Sequence, residues 1–327
     1  MNTSILRPKA LRQADVVAVV ATSGGLEKDE APLYERGVEQ LEGLGFDVRV
    51  SPLVDLDRTW WWVGAPPIET AEEFNRHLRD PEVRAVCSLT GGRLTLSYLD
   101  LIDFDAVRTD PKPVLGLSDV SALHLALHSR TGLASLHSDL VTFGFGEWGD
   151  QDDTRREQLV DVYRRILMED SPLGLLPGGR WASWRSGRAE GPLIGGMLNR
   201  LVRVQATPFA LPLERFEGAI LFWEEAFTST SVVWNDLHVL RQAGVLDRIS
   251  GMIVGRPQDV EMTSPGPETL RDIVLQVMGD RDIPILGDVD VGHSGPNLPM
   301  PLGIRAAMDA DAMTLALLEP VVTAGDG

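Results

Sequence analysis

The stretch "KPVLGLSDVSALHLALH", residues 112–128, decides how the chain is read. Residues 113–117 are a short apolar run of the length expected for a buried strand. Residues 119–132 have the apolar density and the closing glycine of a helix. A strand running straight into a helix is half of a βα unit, and Ser118 stands on its corner. Two roles fit a serine there. It caps the helix, or the sharp turn lifts its hydroxyl above the sheet edge as a nucleophile. Gly116 suits a crowded corner, but Val120 stands where a nucleophile elbow has its second glycine. Locally, capping by Ser118 or Asp119 is the stronger reading.

Outward from this corner the pattern repeats. "DVVAVVATS" (15–23), "FDVRVSP" (46–52) and "VRAVCSL" (83–89) are strand-like. "APLYERGVEQLEGLG" (31–45), "ETAEEFNRHLRD" (69–80) and "LTLSYLDLID" (94–103) have helical spacing. Strands alternating with helices predict an α/β fold, a doubly wound and mostly parallel sheet in the N-terminal part. Ligands of such sheets bind at the carboxyl ends of the strands. Ser118 falls at one such end and the "TGG" turn at 90–92 at another.

A helix is expected over about 153–168. The Pro- and Gly-rich "EDSPLGLLPGGRWASW" (169–184) then reads as a linker. The division is therefore a domain over 1–168, a linker over 169–184, and a smaller C-terminal α/β domain over 185–327. Strands are expected at "GAILFWEE" (218–225), "SGMIVGR" (250–256) and "IPILGDVD" (283–290), with a terminal hairpin over 302–320. Helices are expected over 230–244 and 266–279.

Composition narrows the function. Against 30 basic residues stand 48 acidic ones, a formal charge of -18, so a nucleic-acid partner would be repelled. The one cysteine, Cys87, allows neither a disulfide within the chain nor a thiolate metal cluster. The N-terminal residues lack the basic and apolar regions of a secretory signal, and no apolar run approaches the roughly 18 residues of a membrane span. A cytoplasmic protein without membrane contact is expected. No Walker motif and no GxGxxG follows the first strand, so no nucleotide cofactor is expected, and no metal.

A serine nucleophile needs a base, since its hydroxyl is unreactive at neutral pH. Six histidines are available. His77 lies in a polar helix and is expected to be solvated. His124 and His128 share a helix face four residues apart, but with no Glu between them they read as packing. His238 carries no other signal, and His137 ends a strand beside the same cleft. His293 is presented by "PILGDVDVGHSGPNLPMPLG" (284–303), a strand entering a loop stiffened by Pro296, Pro299 and Pro301. It reads as a general base or as a loop stabiliser. Glu224 and Glu225 end another apolar strand, and either supplies the carboxylate that would orient an imidazole. Backbone amides at Asp119 and at Gly91 and Gly92 are placed to receive an oxyanion.

These segments, in this order, resemble the LD-carboxypeptidase family of serine peptidases, which includes the microcin C immunity proteins. The likeness rests on the opening "DVVAVVATS", on "SLTGGR" (88–93) and on "PKPVLGLSDVSALHLAL" (111–127). It continues in "AEGPLIGGML" (189–198), in "ILFWEE" followed by "LRQAGVLDRISGMIVGR" (240–256), and in the histidine loop. The resemblance implies Ser118 as nucleophile, Glu224 rather than Glu225 as the triad acid, and His293 as base. It implies oxyanion donors from the Asp119 amide and the Gly91 and Gly92 turn, and a homodimer. The implied substrate is a murein tetrapeptide, cleaved between an L-residue and a terminal D-residue. An aminoacyl-nucleotide is the alternative, and a binding protein without catalysis a third.

Two departures bear on substrate. "HSDL" (137–140) stands where the family usually has Gly-Pro. The region "LLPGGRWASWRSG" (175–187) is short where immunity-type members carry an aromatic insertion, so Trp181 and Trp184 either face a nucleotide base or pack as a hinge. Trp60, Trp61 and Trp62 either rim the cleft, meet a second copy, or pack between elements.

Overall fold

The β-branched run at 15–23 folds as the strand Val16–Val20, with Val17, Ala18, Val19 and Val20 all buried, as a parallel strand covered on both faces requires. A computed structural model describes residues 4–267 and 269–325. Val16–Val20 sits in a six-stranded sheet ordered Met300–Pro301, Leu136–His137, Val114–Gly116, Val83–Ser88, Val16–Val20, Asp47–Val50. Every neighbouring pair is parallel except the first. From Val16–Val20 the chain moves first to one side and then to the other, so the order reverses between Val16–Val20 and Val83–Ser88. Such a reversal opens a crevice at the carboxyl ends of the two strands.

An eight-stranded sheet holds most of the second half, ordered Gly174–Leu175, Thr314–Leu317, Arg305–Asp309, Arg188–Met197, Ile220–Glu224, Gly251–Gly255, Ile285–Val289, Ala182–Arg185. Its four strands from Arg188–Met197 to Ile285–Val289 are parallel, with antiparallel strands added on both sides. The expected terminal hairpin is there, Ala306 opposite Leu317. Residues 169–184, read as a linker, instead supply strands to both edges of this sheet. Trp184, buried, lies over Gly287, where any added Cβ would meet its indole at about 2.0 Å. That apolar contact fixes the segment to the sheet.

Local readings were overridden by tertiary contacts in three places. Residues 94–103 are two short 3-10 turns, Thr95–Ser97 and Leu99–Leu101, not one helix. The Leu94 and Thr95 amides donate to the Asp119 carboxylate, and Asp103 caps the next helix, Phe104–Thr109, through the Ala106 amide. His77 is buried, not solvated: its Nε2 lies 2.9 Å from Glu73, which also accepts from Ser51. The helix Ser121–Thr131 is buried on all sides along its first eight residues, so His124 and His128 are core residues. Each bonds a backbone carbonyl, Gly116 for His124 and Leu133 for His128, and burial pushes them down to about 3 and about 4. The expected helices at 230–244 and 266–279 form as Thr230–Gln242 and Leu270–Met278, with Glu268 outside the described residues. Among the described residues no helix is long and apolar enough to cross a membrane.

Lys112 gives the "PK" before the corner a structural reason. Its Nζ is buried and donates to the carbonyls of His77, Leu78 and Asp80 at 3.0, 2.9 and 2.5 Å. Two of these belong to the last turn of the helix Pro67–Arg79 and the third to its C-cap, where carbonyls lack partners within the helix. Lys112→Met keeps the apolar stem and removes the donors. It is expected to lower the unfolding free energy by about 2–3 kcal/mol in urea titration.

Candidate active site

The carboxyl ends of both parallel sheets line one cleft of about 810 Å³. Ser118, Gly91 and Gly92 enter it from the six-stranded sheet, and His293 and Asn199 from the eight-stranded one. Ser118 has φ +64, a left-handed backbone that non-glycine residues adopt only when their surroundings hold them there. Gly91 packs so closely on it that a Cβ would lie 2.8 Å from Ser118 Oγ. The Gly91 carbonyl accepts from the Gly24 amide at 2.7 Å, so the Gly92 N–H, across the same trans peptide, points away from Gly24.

The Asp119 carboxylate is buried and occupied on both oxygens. Oδ2 accepts from Ser23 Oγ at 2.6 Å and from the Leu94 and Thr95 amides at 2.8 Å each. Oδ1 accepts from Arg200 Nε at 2.6 Å. Arg200 is itself buried on the helix Leu198–Gln205 and reaches the Gly92 carbonyl at 3.2 Å and Asn199 Oδ1 at 2.6 Å. One charge pair thus fixes the corner, the Gly-Gly turn and the end of the first strand against the second sheet. Neither Ser23 nor Arg200 has a motif of its own, and sequence reading missed both.

Glu224 ends the strand Ile220–Glu224, fully buried, and accepts from His293 Nδ1 at 2.8 Å. Gly292 makes this approach possible, since at φ +111 a Cβ there would sit 2.6 Å from that of Glu224. With Nδ1 committed to Glu224, Nε2 is the nitrogen left to take a proton. Burial, the largest influence, works against charge on both groups. The Glu224 charge and hydrogen bond nevertheless raise His293 above its ordinary value, and His293 in turn holds Glu224 below the usual carboxylate range. Glu225, on the other face of the strand, holds Asn199 through its backbone and side-chain nitrogens at 3.0 and 2.8 Å. Burial and the adjacent Glu224 charge push Glu225 up to about 7.

The sequence profile of the LD-carboxypeptidase N-terminal domain matches residues 17–138, and that of the LD-carboxypeptidase C-terminal domain matches 190–308. A putative carboxypeptidase of Streptomyces coelicolor is 30% identical, over 97% of this chain and 98% of its own. The chain belongs to the LD-carboxypeptidase family. The microcin C7 self-immunity protein of Escherichia coli is 26% identical over 94% of each chain. Its structure in complex with aspartyl sulfamoyl adenosine superposes with a TM-score of 0.86 at 24% identity, covering 97% of this chain and 100% of that one. Muramoyltetrapeptide carboxypeptidase from Oxalobacter formigenes superposes with a TM-score of 0.76 at 20% identity, covering 92% and 97%. The two-sheet α/β fold is that of this family.

Set in this family fold, three expected substrate contacts lie elsewhere. Trp181 and Trp184 are buried outside the cleft lining: Trp181 Nε1 donates to Asp290 at 3.2 Å, and Trp184 covers Gly287. Both brace the strand that leads to His293, because their rings find apolar cover there. His137 lies beneath the cleft, its ring 5.6 Å from Phe222 and Nδ1 3.3 Å from Ser121 Oγ, and burial pushes it down to about 4. It is therefore neutral at pH 7, and the Glu224 charge is balanced by His293. Trp62 does line the cleft and is 70% exposed, as is its neighbour Trp61 at 73%, so this run is not packed between elements.

Removing one partner of a buried pair strands the other charge. Arg200→Met is expected to lower stability by about 3–5 kcal/mol in denaturant unfolding.

Proposed function

We propose that this protein is a serine hydrolase of the LD-carboxypeptidase kind, acting through Ser118, His293 and Glu224. The observation that carries it is the buried His293 and Glu224 pair at 2.8 Å, sharing a cleft with a serine on a left-handed corner. A domain of residues 1–168 brings Ser118, and one of 185–327 brings Glu224 and His293. Ser118 Oγ attacks the scissile carbonyl carbon while His293 Nε2 takes its proton. The oxyanion rests on backbone amides of Asp119 and of the Gly91 and Gly92 turn. His293 then passes the proton to the leaving amine as the C–N bond breaks, leaving an ester on Ser118. Water attacks the ester with His293 again as base, and the acid product leaves. Glu224 keeps the imidazole in the productive tautomer throughout.

The substrate is a murein tetrapeptide, and the product a terminal D-amino acid. Arg93, in the cleft beside the Gly-Gly turn, is the cation that a terminal carboxylate would meet. A second reading, hydrolysis of an aminoacyl-nucleotide, is favoured by the exposed ring of Trp62, which offers a base a stacking face. Family likeness also suggests a cytoplasmic homodimer.

Incubation with murein tetrapeptide and with an aminoacyl-sulfamoyl adenosine separates the readings by the product released. Release of D-amino acid is expected, and its loss in Ser118→Ala. Release from neither substrate would remove the reading. His293 must be neutral to act, and its proton is held more tightly than in free histidine. So kcat/KM rises with pH through an inflection above 6.5. Glu224→Gln removes the charge that raises His293, so the inflection moves down in pH while the rate falls by about 10⁴-fold. An unmoved inflection would contradict this coupling.

A further inference from the structure

We propose that Asp139 is a positioning residue for His293, a role that rests on reading His293 as the base. Asp139 lies in "HSDL", the segment that departs from the family pattern. Its carboxylate is fully buried and lies outside the cleft lining. Oδ1 accepts from the backbone amide of Asn297 at 2.8 Å and from Asn297 Nδ2 at 2.9 Å. Oδ2 accepts from Trp148 Nε1 at 2.8 Å. Tyr163 completes the cage: its hydroxyl accepts from the Asp139 amide at 2.9 Å and reaches the Asn297 carbonyl at 3.3 Å. Asp139 follows a strand of the six-stranded sheet, whereas Asn297 closes the loop that carries His293.

The loop's other foot is held independently. Asp290 takes Arg256 at 2.6 Å, Arg155 at 3.3 Å and Trp181 at 3.2 Å, and the Leu298 amide closes on the Asp290 carbonyl at 2.9 Å. His293 therefore sits on an arch with two clamped feet. The Asp290 foot and Glu224 fix the imidazole relative to the eight-stranded sheet. The Asp139 foot fixes the arch relative to the sheet that carries Ser118. Charge on Asp139 suits this task, since three N–H donors converge on its oxygens and an amide in its place would set an NH₂ against one of them. A displacement of about 1 Å between base and nucleophile costs on the order of 10²-fold in rate. Substrate contacts are made elsewhere, so the loss falls on kcat.

The test compares wild type, Asp139→Asn and the exchanged double variant Asp139→Asn with Asn297→Asp, using a peptide that wild type hydrolyses. The rate of Ser118 labelling by a fluorophosphonate serves as a readout independent of substrate. Asp139→Asn is expected to lose about 10²-fold in kcat and in labelling rate, with KM within about twofold. The double variant, which restores a donor opposite an acceptor, is expected to regain about tenfold. A kcat and labelling rate within twofold of wild type in Asp139→Asn, or a loss confined to KM, overturns the proposal. If Asp139→Asn does not fold, Asn297→Ala replaces it, because the backbone bond to Asp139 remains. An unchanged kcat there overturns the proposal equally. Labelling that persists in His293→Ala would instead remove the base assignment, leaving Asp139 without a group to position.

Discussion

The contact between the Asp119 carboxylate and Arg200 is the constraint on which the rest of the site depends. Asp119 lies next to Ser118, and Arg200 belongs to the first helix after the strand Arg188–Met197. Their 2.6 Å contact crosses from one sheet to the other. Around it are gathered Ser23, the amides of Leu94 and Thr95, and the Gly92 carbonyl, each from a different part of the cleft wall. Burying two charges is costly unless every lone pair and proton finds a partner. Here that requirement serves assembly: satisfying Asp119 forces the corner, the Gly-Gly turn and the second sheet into one arrangement.

The histidine side of the cleft follows the same logic. Glu224 and Asp139 are both fully buried carboxylates, yet they work at different points of one loop. Glu224 bonds the imidazole itself, and Asp139 bonds the loop's far foot through Asn297. A negative charge sealed under His293 raises its proton affinity against the effect of burial. That suits a group that must hold a proton briefly and then give it up.

Much of this was legible in the sequence because position along a strand is a local property. Ser118, Glu224 and His293 each follow an apolar run, and parallel α/β sheets gather such ends at one edge. The alternation of side chains along a strand says that Glu224 and Glu225 face opposite ways. It does not say which faces His293, and only the family resemblance favoured Glu224. What stayed hidden were contacts between distant segments. Nothing near Asp119 in sequence announces Arg200, and nothing in "HSDL" announces Asn297. His77 looked solvated because its helix is polar, but Ser51 and Glu73 enclose it. Trp181 looked like a binding aromatic, and its indole instead steadies Asp290. Long-range pairing of polar groups has no periodicity to read.

The account stands on Ser118 being the activated nucleophile with His293 as its base. Peptide mapping by mass spectrometry after treatment with diisopropyl fluorophosphate tests this most directly. The account predicts one adduct, on the peptide that contains Ser118, and none when His293 is replaced by Gln. An adduct on another residue, or equal modification of the His293→Gln variant, would contradict it.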